Sequence, residues 1–452
     1  MEVETVRIVI SPVICYNEHT QSTINRLKRR NGGMAHMKLT KTMEELLAED
    51  LKKIEDAWAR EVYDKCFRST WETTLSMEED DTTFIITGDI PAMWLRDSSM
   101  QVLPYFRMLS DETVDKALYG LIQKQAGQIL TDAYANAFNK EGDYSCYSKD
   151  KTTMGPYIWE RKYEIDSLAF PILLLDKYYR ATGNATVFTD TVKTAMVRIL
   201  EVWETEQYHA EKSLYTFERD SDLVSETLQN EGKGTPVAYT GMTWSGFRPS
   251  DDACTYHYLV PSNMLAVSAL KKIVDFPVAG NVKERADKLA EEIKAGIEKY
   301  GVYEHPACGK IYAYETDGLG HYNLMDDANI PSLLAAPWYG YCDAQDSIYQ
   351  NTRRFILSKD NPYYCSGIAA AGVGSPHTPA GYVWPIAIAV RGLTATQTEE
   401  KEEMLNMLLA ITAKTGYMHE GVDVNEPQNY TRPWFAWANS MFCLLMADIG
   451  LK

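Results

Sequence analysis

Apolar and polar residues alternate along most of the chain with the period of an α-helix. In "MKLTKTMEELLAEDLKKIEDAW", which begins at Met37, Leu46, Leu47, Leu51, Ile54 and Trp58 recur near helical spacing with charged residues between them. The same pattern returns in "EIDSLAFPILLLDKYYRATG", "VFTDTVKTAMVRILEVWETEQ", "SNMLAVSALKKIVDF" and "VKERADKLAEEIKAGIEKYG". Gly183, Gly301 and Gly416 stand where helix C-caps belong, and Ser262 and Thr431 where N-caps belong. The pattern predicts a mainly α chain of roughly ten to thirteen helices, joined by loops of unequal length. No sequence repeat of roughly 34 or 40 residues is visible, which argues against a TPR or HEAT solenoid.

Residues 1–36 break this pattern. "QSTINRLKRRNGGMAHM" is basic and polar, and predicts a poorly ordered extension, or an upstream mis-start, ahead of a domain over 37–452. Composition adds limits rather than detail. The 452 residues are 45% hydrophobic and 24% charged, enough for a large core. Net charge is −18, and no long Lys/Arg block could track a phosphate backbone, so nucleic acid is excluded as a partner. No stretch approaches the roughly 18–20 apolar residues of a membrane span, and "VRIVISPVIC" is too short and carries Pro12. Eight cysteines are scattered with no CxxC pair and read as reduced thiols. The expected location is cytoplasmic.

The loops carry the chemistry. "PAMWLRDSS", "TWSGFRPSDDACTYHY", "ETDGLGHYNLMDDANIPS" and "MHEGVDVNEPQNYTRPWFAWANS" set Trp, Tyr, Arg, Asp and Glu between helices. Aromatic faces beside carboxylates suit a sugar ring, which offers apolar C–H faces and hydroxyls, so these loops are expected to converge on one site. In "RPSDDAC", Arg248, Asp251 and Asp252 follow Trp244 and Phe247. Adjacent carboxylates raise each other's cost of ionisation, which is how a carboxyl stays protonated as a general acid; a solvated turn or a helix cap would also use such a pair. Glu420 is the general-base candidate, with Asp423 and Glu426 as rivals, and it could instead pair with Arg432 to pin its loop. Trp434 and Trp437, three apart on a helix, suit either a sugar platform or the core. His321, His377 and His419 show no metal-ligand spacing, and no metal or other cofactor is expected. "MDDAN" lacks the calcium-loop pattern, so Asp326 and Asp327 read as sugar-hydroxyl acceptors or caps. "GVGSP" lacks the Lys-Ser/Thr of a phosphate loop. Asp97 could cap the helix "SSMQVLPYF", but that leaves Arg96 beside Trp94 unexplained; together Arg96 and Asp97 could clamp two neighbouring hydroxyls of a terminal sugar.

Five segments, "TGDIPAMWLRDSSMQVLPY", "WERKYEIDSLAFP", "TWSGFRPSDDACTYHYLVPSNM", "MDDANIPSLL" and "TRPWFAWANS", resemble glycoside hydrolase family 125, the bacterial exo-α-1,6-mannosidases, from about residue 40 to the C-terminus. The resemblance implies an all-α (α/α)6 barrel. It also implies inverting, metal-independent removal of a non-reducing terminal mannose from mannosides or N-glycan-derived oligosaccharides. The catalytic acid falls on Asp251, with Asp252 the close alternative, and the base on Glu420. Trp94, Arg96, Asp97, Arg248, Asp252, Asp326, Asp327, His377, Arg432 and Trp437 are the implied sugar contacts. "MHEGVD" departs from a bulkier stretch that follows the family's glutamate. Two rival readings remain: an (α/α)6 glycosidase or phosphorylase of other specificity, and a non-catalytic carbohydrate-binding helical protein. A phosphorylase would need an anion site in place of Glu420. Oligomeric state is open.

Overall fold

The structure, a computed structural model, describes residues 37–451; the extension expected over 1–36 lies outside them. Among the described residues, twelve helices of seven or more residues are formed: α1 (Lys41–Lys53), α2 (Ala57–Ser69), α3 (Leu95–Gln101), α4 (Glu112–Thr131), α5 (Ile165–Thr182), α6 (Asp190–Glu206), α7 (Val260–Asp275), α8 (Gly280–Tyr300), α9 (Ser347–Ile356), α10 (Pro385–Leu393), α11 (Thr398–Ala410) and α12 (Ala436–Asp448). Two kinds can be told apart by what they bury. Helices α3, α5, α7, α10 and α12 are buried almost all round. The others bury one stripe and expose the opposite face.

The buried helices form an inner ring: α3 packs on α5, α5 on α7, α10 on α12, and α12 back on α3. Between α7 and α10 the ring is completed by buried turns over 332–341, not by a regular helix. Asp326 holds those turns, accepting the amides of Leu333 and Leu334 at 2.9 and 3.0 Å, and Tyr339 Oη donates to the Pro261 carbonyl of α7 at 3.3 Å. Outside, α2 packs on α12, α4 on α5, α8 on α7 and α11 on α10. This is the (α/α)6 arrangement.

Among the described helices, side-chain caps are found only on those outside the ring, where α8 and α11 alone lack one. The N-terminal amides of α1, α2, α4, α6 and α9 are capped by Thr40, Asp56, Asp111, Thr189 and Asp346. The inner helices begin after Trp94, Glu164, Leu259, Trp384 and Phe435, none of which makes a side-chain cap. Three of the expected caps are therefore corrected. Ser262 and Asp97 lie in the first turns of α7 and α3, and Thr431 lies well before α12, its hydroxyl accepting the Gly421 amide at 2.9 Å. Gly183 does end α5 in the left-handed conformation, and Gly301 ends α8. Gly416 sits in a turn beyond α11, which ends at Ala410.

Short antiparallel strands lead into the inner helices instead. β1 (Met93–Trp94) pairs with β2 (Ala137–Phe138), which pairs with β3 (Ile158–Glu160). β4 (Tyr258–Leu259) pairs with β5 (Glu315–Thr316), and β5 with β6 (Tyr322–Asn323). β7 (Tyr382–Val383) pairs with β8 (Val422–Asp423). Strands β1, β4 and β7 run directly into α3, α7 and α10, so these pairings fix the direction in which each inner helix starts. The first and last inner helices are joined by a backbone seam: Asp89 N donates to Trp434 O at 3.1 Å and Ala436 N to Thr87 O at 3.2 Å. Gly88 lies in this seam at φ 140°, and a Cβ there would meet the Trp434 carbonyl oxygen.

Candidate active site

The uncapped ends of the inner helices and the loops before them surround a narrow cavity. Trp94, Arg96, Asp97, Asp251, His377, Glu420, Arg432 and Trp437, all singled out in the sequence, line it, together with Thr87, Ile90, Pro249, Ser250, Asn329, Trp384 and Phe435. Arg248 and Asp252 face a neighbouring groove instead, and Asp326 and Asp327 line neither.

The separation of Asp251 from Asp252 comes from one turn. Arg248 N donates to Asp252 O at 2.8 Å and Asp251 N to Arg248 O at 2.9 Å, with Asp251 left-handed at φ 68°. Aspartate tolerates that conformation better than most residues, and across this turn Asp251 lines the cavity while Asp252 lines the groove. Asp327 accepts the Ser250 hydroxyl at 2.6 Å, and Asn329 Nδ2 donates to Pro249 O at 2.6 Å, so both hold the turn. Asp326 is spent on the amides of Leu333 and Leu334. Of the two roles expected of these aspartates, sugar-hydroxyl acceptor or cap, the bonds they make match the second: their oxygens take donors from inside the protein. Arg248 is likewise committed, its Nε donating to Glu315 Oε1 at 2.6 Å.

On the cavity side, Asp251 Oδ1 accepts from Asn136 Nδ2 at 3.4 Å, and its backbone oxygen from Lys162 Nζ at 2.7 Å. Burial favours its neutral form, but Lys162, Arg96 and His377 more than offset that and hold the carboxyl below the usual range. The mutual repulsion expected of the Asp-Asp pair is not what sets its charge. Asp252 accepts from, or shares a proton with, His377 Nδ1 at 3.3 Å. Burial works against charge on His377, but the bond to Asp252, with Glu420 and Asp251 nearby, pushes it up to about 9.

Glu420 stands across the cavity on a loop pinned from two directions. Thr431 N donates to Gly421 O at 2.8 Å, and β7 pairs with β8 just beyond it. Arg432 Nη1 lies 3.5 Å from Glu420 Oε1, while the rest of that guanidinium grips Asp89. Loop pinning and cavity lining therefore coexist in Glu420. Its rivals point elsewhere: Asp423 accepts the amides of Asn425 and Glu426, and Glu426 is exposed. His419 stacks on Tyr430 with ring centroids 3.7 Å apart, and burial pushes it down to about 4. Trp437 is fully buried yet lines the cavity, with the Arg96 guanidinium 5.7 Å over its ring.

The Arg96–Asp97 couple is looser than expected. Arg96 Nε is 3.7 Å from Asp97 Oδ1, and Asp97 instead accepts the Thr87 hydroxyl. Arg96 Nη1 is held by Glu164 Oε2 and Asp166 Oδ2, both at 2.7 Å and both fully buried at the start of α5. Burial pushes both of these carboxyls up, Glu164 well above its usual range. Sequence reasoning missed Lys162, Glu164 and Asp166. They carried the same signal as Arg96 and Asp97, charges set at the start of an apolar helix. Among the described residues, no group of three or more His, Cys, Asp or Glu side chains is arranged to hold a metal ion.

The likeness to known proteins agrees with this geometry. The family model described as metal-independent alpha-mannosidase (GH125) matches residues 56–447. A metal-independent α-mannosidase of Streptococcus pneumoniae, solved as a non-productive substrate complex with α-1,6-mannobiose, is 43% identical with a TM-score of 0.89, covering 91% of this chain and 98% of its own. The meiotically up-regulated gene 157 protein of Schizosaccharomyces pombe is 37% identical, over 91% of this chain and 86% of its own. A solved glycosidase at 13% identity and TM-score 0.56, covering 92% and 100%, shares the fold alone. A matched family model over most of the chain and a close structural relative of the same description place this protein in GH125, the metal-independent α-mannosidases, and make it a glycoside hydrolase.

Proposed function

We propose that the protein is an exo-acting, inverting α-1,6-mannosidase of mannose-containing oligosaccharides. The observation that carries the reading is that Asp251 and Glu420, from loops far apart in the chain, line one cavity whose wall includes Arg96, Asp97 and Trp437. Asp251 protonates the leaving glycosidic oxygen. Glu420 takes a proton from a water that attacks C1 on the opposite face, and β-mannose leaves. Asp251 lines this cavity, whereas Asp252 lines the neighbouring groove and is paired with His377, which favours Asp251 as the acid. A narrow cavity at the ring's end suits a terminal sugar, and Trp94, Trp437 and Asp97 offer it two aromatic faces and a hydroxyl acceptor. The α-1,6-mannobiose bound by the pneumococcal relative supports the linkage.

The test is proton NMR of α-1,6-mannobiose with the purified protein in EDTA, following the anomeric signals from the earliest time. β-Mannose first supports the reading; α-mannose first, or no reaction until metal is restored, overturns it. A cytoplasmic location is proposed with it, supported by seven free thiols among the described residues and tested by cell fractionation.

A further inference from the structure

Arg96 faces more carboxylates than one guanidinium can neutralise. Glu164 and Asp166 share its Nη1, Asp97 lies near Nε, and Asp251 stands on the cavity side. The other cations facing this group are Lys162, His377 and Arg432; His377 already pairs with Asp252 and Arg432 with Asp89. Glu164 is fully buried behind Arg96 and does not line the cavity. Its Oε2 accepts from Arg96 and from Ser167 Oγ at 2.8 Å, but its Oε1 is buried with no donor directed at it. An ionised carboxylate with one oxygen left dry is costly. A proton on Oε1 removes the cost, because the oxygen becomes a donor, and Asp251 is the acceptor side chain that interacts with Glu164.

We propose that Glu164 is a positioning residue that holds, in the resting enzyme, the proton that Asp251 delivers to the leaving group. This rests on Asp251 being the acid. Burial keeps Glu164 protonated, while Lys162, Arg96 and His377 favour ionised Asp251, so the shared proton rests on Glu164 until substrate arrives. The proton then passes from Glu164 Oε1 to Asp251, and from Asp251 to the glycosidic oxygen as the C1–O bond breaks. The attacking water bonds to C1 and gives its proton to Glu420. Glu420 loses that proton to solvent, and solvent restores one to the Glu164–Asp251 pair, so one water is consumed and no other reactant is needed. The arrangement explains how a carboxyl surrounded by cations can serve as an acid at neutral pH.

The test compares kcat/KM against pH for the wild type, Glu164→Gln, Glu164→Asp and Asp251→Asn. Two substrates are used, α-1,6-mannobiose and an aryl α-mannoside whose phenol leaves without protonation. In Glu164→Gln the proton must reside on Asp251 alone. The basic limb is expected to move about two pH units lower, with a loss of about 10²-fold on mannobiose above both limbs and a far smaller loss on the aryl mannoside. Glu164→Asp, which keeps a carboxyl, is expected to bring the limb back toward the wild type. Turnover of the aryl mannoside reports that each variant is folded. An unmoved basic limb in Glu164→Gln, or equal losses on both substrates, would overturn the inference while leaving the acid assignment standing. Full mannobiose activity in Asp251→Asn would overturn the acid assignment and the inference with it.

Discussion

Replacing Arg96 with methionine keeps much of the side chain's volume but removes the guanidinium that Glu164 and Asp166 share at 2.7 Å. Asp166 is fully buried; burial pushes its carboxyl up and Arg96 pulls it down. Without the arginine nothing comparable offsets burial, and Asp166 takes up a proton. At pH 7, three units above an ordinary aspartate pKa, that uptake costs at most about 4 kcal/mol, at about 1.4 kcal/mol per unit, and less by the amount to which burial already raises Asp166 beside Arg96. The upper limit falls within the ~3–5 kcal/mol typical of breaking a buried ion pair. For the described residues 37–451, unfolding entropy near ~2.1 cal/mol/K per residue converts it into a Tm lowered by at most about 5 °C. At pH 5 the same uptake costs at most about 1.5 kcal/mol, or about 2 °C. The assay is thermal unfolding of wild type and Arg96→Met at both pH values. The sign follows from linkage: the variant's raised carboxyl binds a proton when folded and releases it on unfolding, so its deficit grows as pH rises. An equal deficit at pH 5 and pH 7, or none at pH 7, would refute the view that Arg96 keeps a buried carboxylate ionised.

Two further outcomes are expected. Asp251→Asn should lower kcat on α-1,6-mannobiose by about 10²–10⁴-fold, the usual contribution of a positioned acid, whereas Asp252→Asn should cost much less; the reverse order in steady-state kinetics would move the acid to Asp252. His377, raised to about 9 beside Asp252, should stabilise the fold fully below its unfolded value near 6.5 and lose that contribution as pH rises through 9. Tm against pH for wild type and His377→Gln should therefore converge across that window, and parallel curves would show that the pair contributes nothing.

The sequence alone determined the helical character and the loops that carry the site. The apolar stripes of α6 and α8 repeat at helical spacing because each helix buries one face, and that pattern is local. Charges and aromatics that interrupt the helical pattern, such as Trp94, Arg96, Asp97 and Glu420, stood out because neither regular exposure nor core packing accounts for them. The tertiary structure decided three things that no local pattern encodes. It set the starts of the inner helices, where strand pairing and the seam at Gly88 replace the side-chain caps that Ser262 and Thr431 were expected to supply. It also separated Asp251 from Asp252, since a left-handed residue in a tight turn sends neighbouring carboxylates into different spaces. And it brought Glu164 and Asp166 from α5 to Arg96 of α3, setting the charges of the site through burial and distance between segments remote in sequence. A residue type and its spacing can name a carboxylate; whether that carboxylate binds sugar, caps a turn or keeps a proton depends on which donors and charges the folded chain places around it.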